Sequence, residues 1–595
     1  METARGPRYP QRRLVKYLTR LAAQLRMSQR ALVVGAAVIV GLGAGAGALL
    51  LRWLIATTTR VALQGGSGLL AFLGAFQVIC IPALGGLLVG VMTSCLAREA
   101  KGHGVPEVIE AVALRGGRMR PVVPVVKLLA SAICIGTGGS AGREGPVVQV
   151  GAGVGSTLGQ WLGLSDEHIR QLVACGAAGG IAAAFNAPVA GVVFALEIIL
   201  RAFNPTSFCT TVIASVAASE MARAISGNVP AFVVPPYALV SLWEFPLYAI
   251  LGIAAAGVGI VFTAMLYACH DVFEGLTIPA YLKPAAGGLL IGTVGVAFPQ
   301  IFGVGYDIIT QALHNALSLR LMAVLVVAKM LATSLTLGSG GTGGILVPSL
   351  YLGAMLGGCF GTLVHALWPT VTAVPGTYAL VGMAAVFAAV AHAPITALLI
   401  LFEMTGDYRI VLPVMLTTVI GTFLAERMAS ESIYTLKLSR RGIHLSGRRT
   451  IDILQTVQVK EVMETRVDTV PTTMGLPALA RRFERLPCQS FPVLDARGAL
   501  WGMLSIEEFT HALAQDATDH LTAGDIATTS VATVYPDEPV STAMRRMAIG
   551  DFRCLPVVER SNTRLLLGVV HWDDMNRASQ RVMKRRSRTD SREGP

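Results

Sequence analysis

Charge is what this chain has least of. Only 14% of its 595 residues are Asp, Glu, Lys or Arg against 53% hydrophobic, and the charged ones crowd into the first 30 and last 160 positions. Soluble domains carry about 25% charged residues, so the middle of the chain is not written for water. Its nine cysteines stand singly, with no CxxC and no metal-ligand spacing. That excludes a zinc module and fits small core residues of a reducing compartment. There is no GxxxxGK[ST] loop and no recognisable set of nucleophile, His and acid, which disfavours an enzyme.

What is present is a series of apolar segments, at about 31–56, 68–97, 121–135, 168–200, 208–223, 247–268, 282–298, 320–337, 345–366 and 376–428. They predict a polytopic membrane protein with a soluble tail. The cationic stretch RGPRYPQRRLVKYLTR precedes the first apolar run with no small-residue cleavage site, and the equally basic LKLSRRGIHLSGRR follows the last. By the positive-inside rule both termini are expected on the cytoplasmic side. The net charge of +12 then reports topology and not nucleic-acid binding.

The stretch GTGGSAGREGP, residues 136–146, places Arg143 and Glu144 between two apolar helical pieces. A broken helix at membrane depth is tolerated only where its open backbone is buried in protein or lines an aqueous cavity. Glycine lets the backbone approach a ligand, and the next helix aims free N–H groups and its positive end into the break. This is the physics of an anion site. The plainer alternative is Glu144 capping the next helix, with Pro146 in its first turn and Arg143 as a local ion-pair partner.

The membrane part is written twice. GHGVPEVIEAV from Gly102 returns as GVGYDIITQAL from Gly303, and the block from Val125 returns from Val326 with Lys127 opposite Lys329. AAAFNAPVAGVVFALE, ending at Glu197, is echoed by AAVAHAPITALLILFE, ending at Glu403. Repeats with paired helix breaks point to a transport pathway near the midplane. Whether the halves are parallel or inverted turns on the number of spans, which hydropathy does not count. The four-spaced glycines Gly151, Gly155, Gly159 and Gly353, Gly357, Gly361 read as close helix packing. The two lysines read as buried structural charges.

GHGVP at 102–106, GREGP at 142–146, GGILVP at 343–348 and SIYT at 432–435 together resemble the CLC family of chloride channels and proton-coupled chloride exchangers, over roughly residues 30–437. The resemblance implies an all-α membrane domain of two inverted repeats, working as a homodimer with one pore per subunit. It implies that Glu144 is the gate, its carboxylate competing with the anion. Backbone N–H groups from Arg143 to Gly145 and at Ile345 and Leu346 would hold the anion, with the Tyr434 hydroxyl. His103 stands where the family most often has serine, so an imidazole that can donate and titrate replaces a hydroxyl; the alternative is that it turns away from the pore. Exchangers of the family usually carry an inner proton-accepting glutamate at the position of Ile198. Isoleucine relays no proton. Glu197 is the nearest substitute, with a structural role mirrored by Glu403 as its alternative. A passive chloride channel is therefore expected ahead of a proton-coupled antiporter, and both ahead of a membrane-anchored nucleotide sensor.

From about Ile451 the composition turns globular and again repeats: VKEVMETRVDTV, FPVLD and GMLSIEEF correspond to AGDIATTSVATV, LPVVE and GVVHWDDM at an offset of 63–66. The order resembles a tandem pair of CBS domains, an α/β module that often binds adenine nucleotides. The hydroxyl-x-x-Asp signature for ribose is met only in part, by Ser505 with Glu508 and His571 with Asp574, so a nucleotide site stands beside a purely structural role. The expected organisation is a cytoplasmic segment (1–30), the membrane domain (31–437), a linker (438–455), two CBS modules (456–516 and 517–580) and a basic disordered tail (581–595).

Overall fold

The computed structural model describes residues 29–62, 76–227, 232, 234–235, 237, 239–406, 409–441, 457–485, 490–513, 521–550, 552, 554–571 and 575. The chain forms two compact units that divide after His444.

The first unit is built from helices. In chain order they are α1 (Gln29–Arg60), α2 (Gln77–Cys95), α3 (Val105–Leu114), α4 (Val122–Gly136), α5 (Glu144–Trp161), α6 (Asp166–Phe185), α7 (Pro188–Phe194) and α8 (Pro205–Ser226). A π-helical turn, Ala195–Leu200, continues α7. A second set follows: α9 (Glu244–Gly275), α10 (Lys283–Ala297), α11 (Tyr306–Leu313), α12 (Leu319–Gly338), α13 (Leu346–Leu367), α14 (Pro375–Ala391), α15 (Pro394–Thr405) and α16 (Val411–Met428). A short α17 (Leu436–Arg440) closes the unit. Seven of the described helices are long and apolar enough to cross a membrane, among them α1, α9 and α13.

The apolar stretches at 168–200 and 376–428 are not single spans. Asn186 and His392 take left-handed conformations, φ 56° and 53°, and Pro188 and Pro394 open the helices that follow. A left-handed residue ends a helix, and proline is tolerated in a first turn because its missing N–H would be unpaired there anyway.

Contacts between the two sets are reciprocal. Gly142 N–H donates to Gly344 O at 2.9 Å, and Gly344 N–H to Gly142 O at 2.6 Å. Ser131 meets Thr342 and Ser140 meets Thr333, hydroxyl to hydroxyl, at 3.0 and 3.1 Å. Gly86 lies against the carbonyl of Pro284, and Gly288 against that of Pro82. Exchanging the sets turns each of these contacts into its partner, as a two-fold axis between the halves requires. Because Pro82 meets Gly288 while Gly86 meets Pro284, α2 and α10 run antiparallel. A two-fold axis reverses only directions perpendicular to it, so this one lies across the helices and the halves are inverted.

The four-spaced glycines serve packing. A Cβ at Gly155 would lie 2.0 Å from the Leu172 carbonyl on α6, and one at Gly357 would lie 2.0 Å from that of Tyr378 on α14. Without side chains there, α5 and α13 press onto α6 and α14 backbone to backbone.

The second unit is α/β. Its first half runs β1 (Val470–Pro471), α18 (Leu476–Arg485), β2 (Ser490–Leu494), β3 (Leu500–Ser505) and α19 (Ile506–Leu513). β1 pairs parallel to β2, and β2 antiparallel to β3. The second half contributes α20 (Ala523–Ile526), α21 (Val540–Gly550), β4 (Cys554–Val558) and an antiparallel β5 (Leu566–His571). The Val534–Val557 bridge stands where Val470–Val493 stands in the first half. Each half has its own core, one around Leu479, Phe491 and Leu504 and one around Met547, Leu555 and Val570.

Candidate functional site

The reciprocal Gly142–Gly344 pair brings the N-termini of α5 and α13 together in the interior of the helical unit. Two helix N-termini converging on one point leave unpaired N–H groups and two positive dipole ends facing the same small volume. Glu144 sits there with 2% of its surface exposed. Its Oε1 accepts the Val347 N–H at 3.3 Å, and the backbone amides of Glu144 itself and Leu346 lie alongside. Its Oε2 has no protein partner among the described residues. A Cβ at Gly142 or Gly344 would fall 2.0 or 2.1 Å from the carboxylate oxygens, so only glycine leaves room for that group. Ile345, 1% exposed, and Leu346, fully buried, form the opening of α13, where their backbone can serve an anion and their side chains pack.

The first-motif loop is held against this point. Gly102 N–H donates to Gly341 O at 3.0 Å, and a Cβ on Gly145 would meet the His103 carbonyl at 2.0 Å. Lys127, fully buried, donates to the carbonyls of Ala100 and Gly102 at 3.0 and 2.6 Å. Lys329 does the same for Ile301 and Gly303 at 2.9 and 2.9 Å. Both lysines are therefore anchors of the loops that precede α3 and α11. His103 is 5% exposed, its Nδ1 is buried with no partner among the described residues, and its ring lies 6.0 Å from that of Tyr434. Tyr434 is itself fixed by its neighbour: Ile433 N–H donates to Val390 O at 3.1 Å, and the Tyr267 hydroxyl donates to Ile433 O at 2.8 Å.

The Arg143 guanidinium donates to the Ala184 carbonyl at 2.7 Å and stands over the Tyr306 ring at 5.1 Å, so the alternative in which it is the ion-pair partner of Glu144 is not what its contacts show. What Arg143 offers at the opening of α5 is its backbone. Ile198 lies in the π-helical turn, 6% exposed. Its neighbour Glu197 accepts the N–H groups of Ile395 and Thr396 at 3.3 and 2.8 Å and the Thr396 hydroxyl at 2.5 Å, capping α15. Glu403 accepts those of Val189 and Ala190 at 2.9 and 2.7 Å, capping α7. The structural reading of Glu197 is the one its contacts support. Sequence reasoning missed Glu107 of α3, which pairs with Lys437 of α17 and draws that helix to the site; the only signal was its place directly after GHGVP.

In the second unit Ser505 and Glu508 bond each other. Ser505 N–H and hydroxyl donate to Glu508 Oε2 at 2.7 and 3.1 Å, Glu508 N–H donates back at 3.3 Å, and the Thr528 hydroxyl takes Oε1. This is a capping box opening α19. His571 Nε2 lies 3.8 Å from Glu464 Oε2, and Asp574 falls outside the described residues.

An inverted-repeat membrane protein whose paired helix N-termini enclose a carboxylate, beside a buried imidazole whose Nδ1 has no partner among the described residues, is a transporter built around an anion. The profile of the voltage gated chloride channel family matches residues 85–426, and that of the CBS domain matches 459–515 and 523–581. The chain belongs to the CLC family. It is 30% identical to chloride channel protein CLC-f of Arabidopsis thaliana over 87% of this chain and 75% of that one. It is 34% identical to the H(+)/Cl(-) exchange transporter ClcA of Vibrio campbellii over 63% of this chain and 78% of that one. Among solved structures, a slow cyanobacterial Cl-/H+ antiporter matches with a TM-score of 0.63 and 26% identity, covering 70% of this chain and 98% of the other.

Proposed function

We propose that this chain moves chloride, or a similar small anion, across the membrane in exchange for protons, with Glu144 as the point both must pass. The observation that carries this reading is the seat of the Glu144 carboxylate on the N-terminus of α13, where it holds the donors an anion would use. Ionised, the carboxylate excludes the anion by charge. Protonated, it loses its hold on those N–H donors and yields the seat, so a proton arriving from one side admits an anion. The names of the relatives favour exchange over the passive channel expected from the sequence: the Vibrio protein is an H(+)/Cl(-) exchange transporter and the cyanobacterial one a Cl-/H+ antiporter. Since Ile198 carries no proton and Glu197 is committed to a helix cap, protons in this reading reach Glu144 through water in the inner path. Passive conduction is the second reading, favoured by Ile198 and by the name of the Arabidopsis relative, a chloride channel protein.

The test is flux in proteoliposomes with an imposed chloride gradient and no pH gradient. Exchange predicts sustained uphill proton movement that Glu144→Ala stops while chloride continues to flow. Chloride flux with no proton movement in the wild type overturns exchange and leaves the channel.

Both termini are placed on the cytoplasmic side in this proposal, on the strength of the basic residues flanking the first and last spans. The working form is a homodimer with a pore in each subunit. For the C-terminal pair we propose a regulatory and structural role without a ribose contact from Glu508, both of whose oxygens are already engaged.

A further inference from the structure

We propose that the first unit carries a site for one anionic phospholipid, its phosphate held by Arg98, Lys101 and Lys283 and an acyl chain lying in the groove between α9, α10 and α12. The groove holds about 490 Å³ and is lined by apolar side chains alone, among them Val272, Leu276, Ala286, Leu290 and, from α12, Leu335. Val272, Leu276 and Leu290 are 66%, 42% and 44% exposed, as side chains facing hydrocarbon are. An apolar cleft of this size on a membrane helix bundle is filled by lipid tails; what makes it selective is its mouth.

Lys283 opens α10 one turn before Ala286 and two turns before Leu290, so all three share one helix face and the ammonium stands at the end of the groove. At that end α2 packs tightly on the turn leading into α10, with Gly90 against the Tyr281 carbonyl and Gly86 against that of Pro284. The chain leaving α2 therefore brings Arg98 and Lys101 beside Lys283. Burial first, then repulsion from Arg98 and Lys283, holds the Lys101 ammonium below the ordinary lysine range. Three cations crowded this way favour an anion: among the described residues none of them pairs with a carboxylate. Of the acids nearby, Glu99 pairs with Arg120 at 3.1 Å and Asp271 with Arg440 at 2.7 Å, and the exposed Glu274 carboxylate faces the His270 ring at 3.5 Å. Lys283 gives one donor to the Glu274 carbonyl at 3.0 Å and keeps two. Asp271, at the C-terminal end of α9, also ties α17 to this end, so the site lies on the face from which the chain leaves for its C-terminal unit. The proposed topology puts this face on the cytoplasmic side, where basic pockets between membrane helices bind phosphate headgroups.

The proposal does not depend on whether protons move with the anion. It is tested on the purified full chain in a neutral detergent, by the shift in melting temperature on adding phosphatidylglycerol, phosphatidylcholine with the same acyl chains, or glycerol phosphate. Phosphatidylglycerol is expected to raise the melting temperature by about 2–4 °C at saturation, phosphatidylcholine and glycerol phosphate by much less, and R98Q/K101Q/K283Q to lose the difference. Ala286→Trp keeps all three cations but plugs the groove, and is expected to lose it as well. Equal shifts from both phospholipids, an equal shift from glycerol phosphate, or a full phosphatidylglycerol shift in either variant overturns the site.

Discussion

The carboxylate of Glu197 caps the helix that carries Glu403, and the carboxylate of Glu403 caps the helix that leads to Glu197. Each half of the membrane unit thus supplies the acceptors for N–H groups that proline-led helices α7 and α15 would otherwise leave unpaired. Charge-assisted bonds of this kind are worth about 1.5–3 kcal/mol each. Glu197→Ala and Glu403→Ala are therefore expected to lower the melting temperature by similar amounts, and Glu197→Gln, which keeps one acceptor oxygen, by less. Proton coupling measured in the same variants separates this from a relay: loss of coupling in Glu197→Gln at unchanged stability would make Glu197 the inner proton acceptor.

In the proposed mechanism the Glu144 carboxylate holds the donors that an anion would use, so removing the carboxylate should free them. Glu144→Ala is expected to keep or raise chloride flux and to flatten its pH dependence, and chloride binding measured by calorimetry should tighten. Chloride flux lost with its pH dependence intact would mean that the residue is needed as a cap for α5.

His103 presents an Nδ1 with no partner among the described residues, and its ring lies 6.0 Å from that of Tyr434. A buried ring nitrogen with no partner among the described residues is open to a ligand, as donor or acceptor according to its tautomer. His103→Ser, which replaces the ring with a small hydroxyl, should change the ratio of chloride to nitrate transport. Identical selectivity in wild type and variant would place the ring outside the pathway.

Helix packing here depends on particular glycines. Gly155→Leu would drive a side chain into the Leu172 carbonyl of α6 and is expected to abolish folded protein in size-exclusion profiles. Gly257, in the middle of α9, has open space where a Cβ would go, and Gly257→Ala should stabilise by up to about 1 kcal/mol through helix propensity. Equal tolerance at both positions would contradict the close α5–α6 contact.

Nucleotide binding by the C-terminal pair is decided by the full chain's melting curve. With Glu508 satisfied by Ser505 and Thr528, ATP or AMP at millimolar concentration is expected to leave the transition of that unit in place. A rise of several degrees would show a nucleotide site built from other residues.

The membrane class, the duplicated layout, the broken helix carrying Glu144 and the paired C-terminal modules were all legible in the amino-acid order. They rest on local quantities: runs of apolar side chains that water rejects, glycine and proline where a helix must stop, and blocks that recur about 201 positions apart. The same local reading left three matters open that only the folded chain resolves. The halves are inverted because α2 and α10 meet antiparallel across their shared axis, a relation no count of apolar runs contains. Arg143, which stands beside Glu144 in sequence, turns to Ala184 and Tyr306 because a guanidinium needs acceptors and a face to rest on, and these came from α6 and α11. Glu197 serves α15, some 200 residues away, because an unpaired N–H group takes whichever acceptor the topology delivers. Hydrophobic pattern sets where a segment lies; which polar group satisfies which is set by the neighbours that folding brings to it.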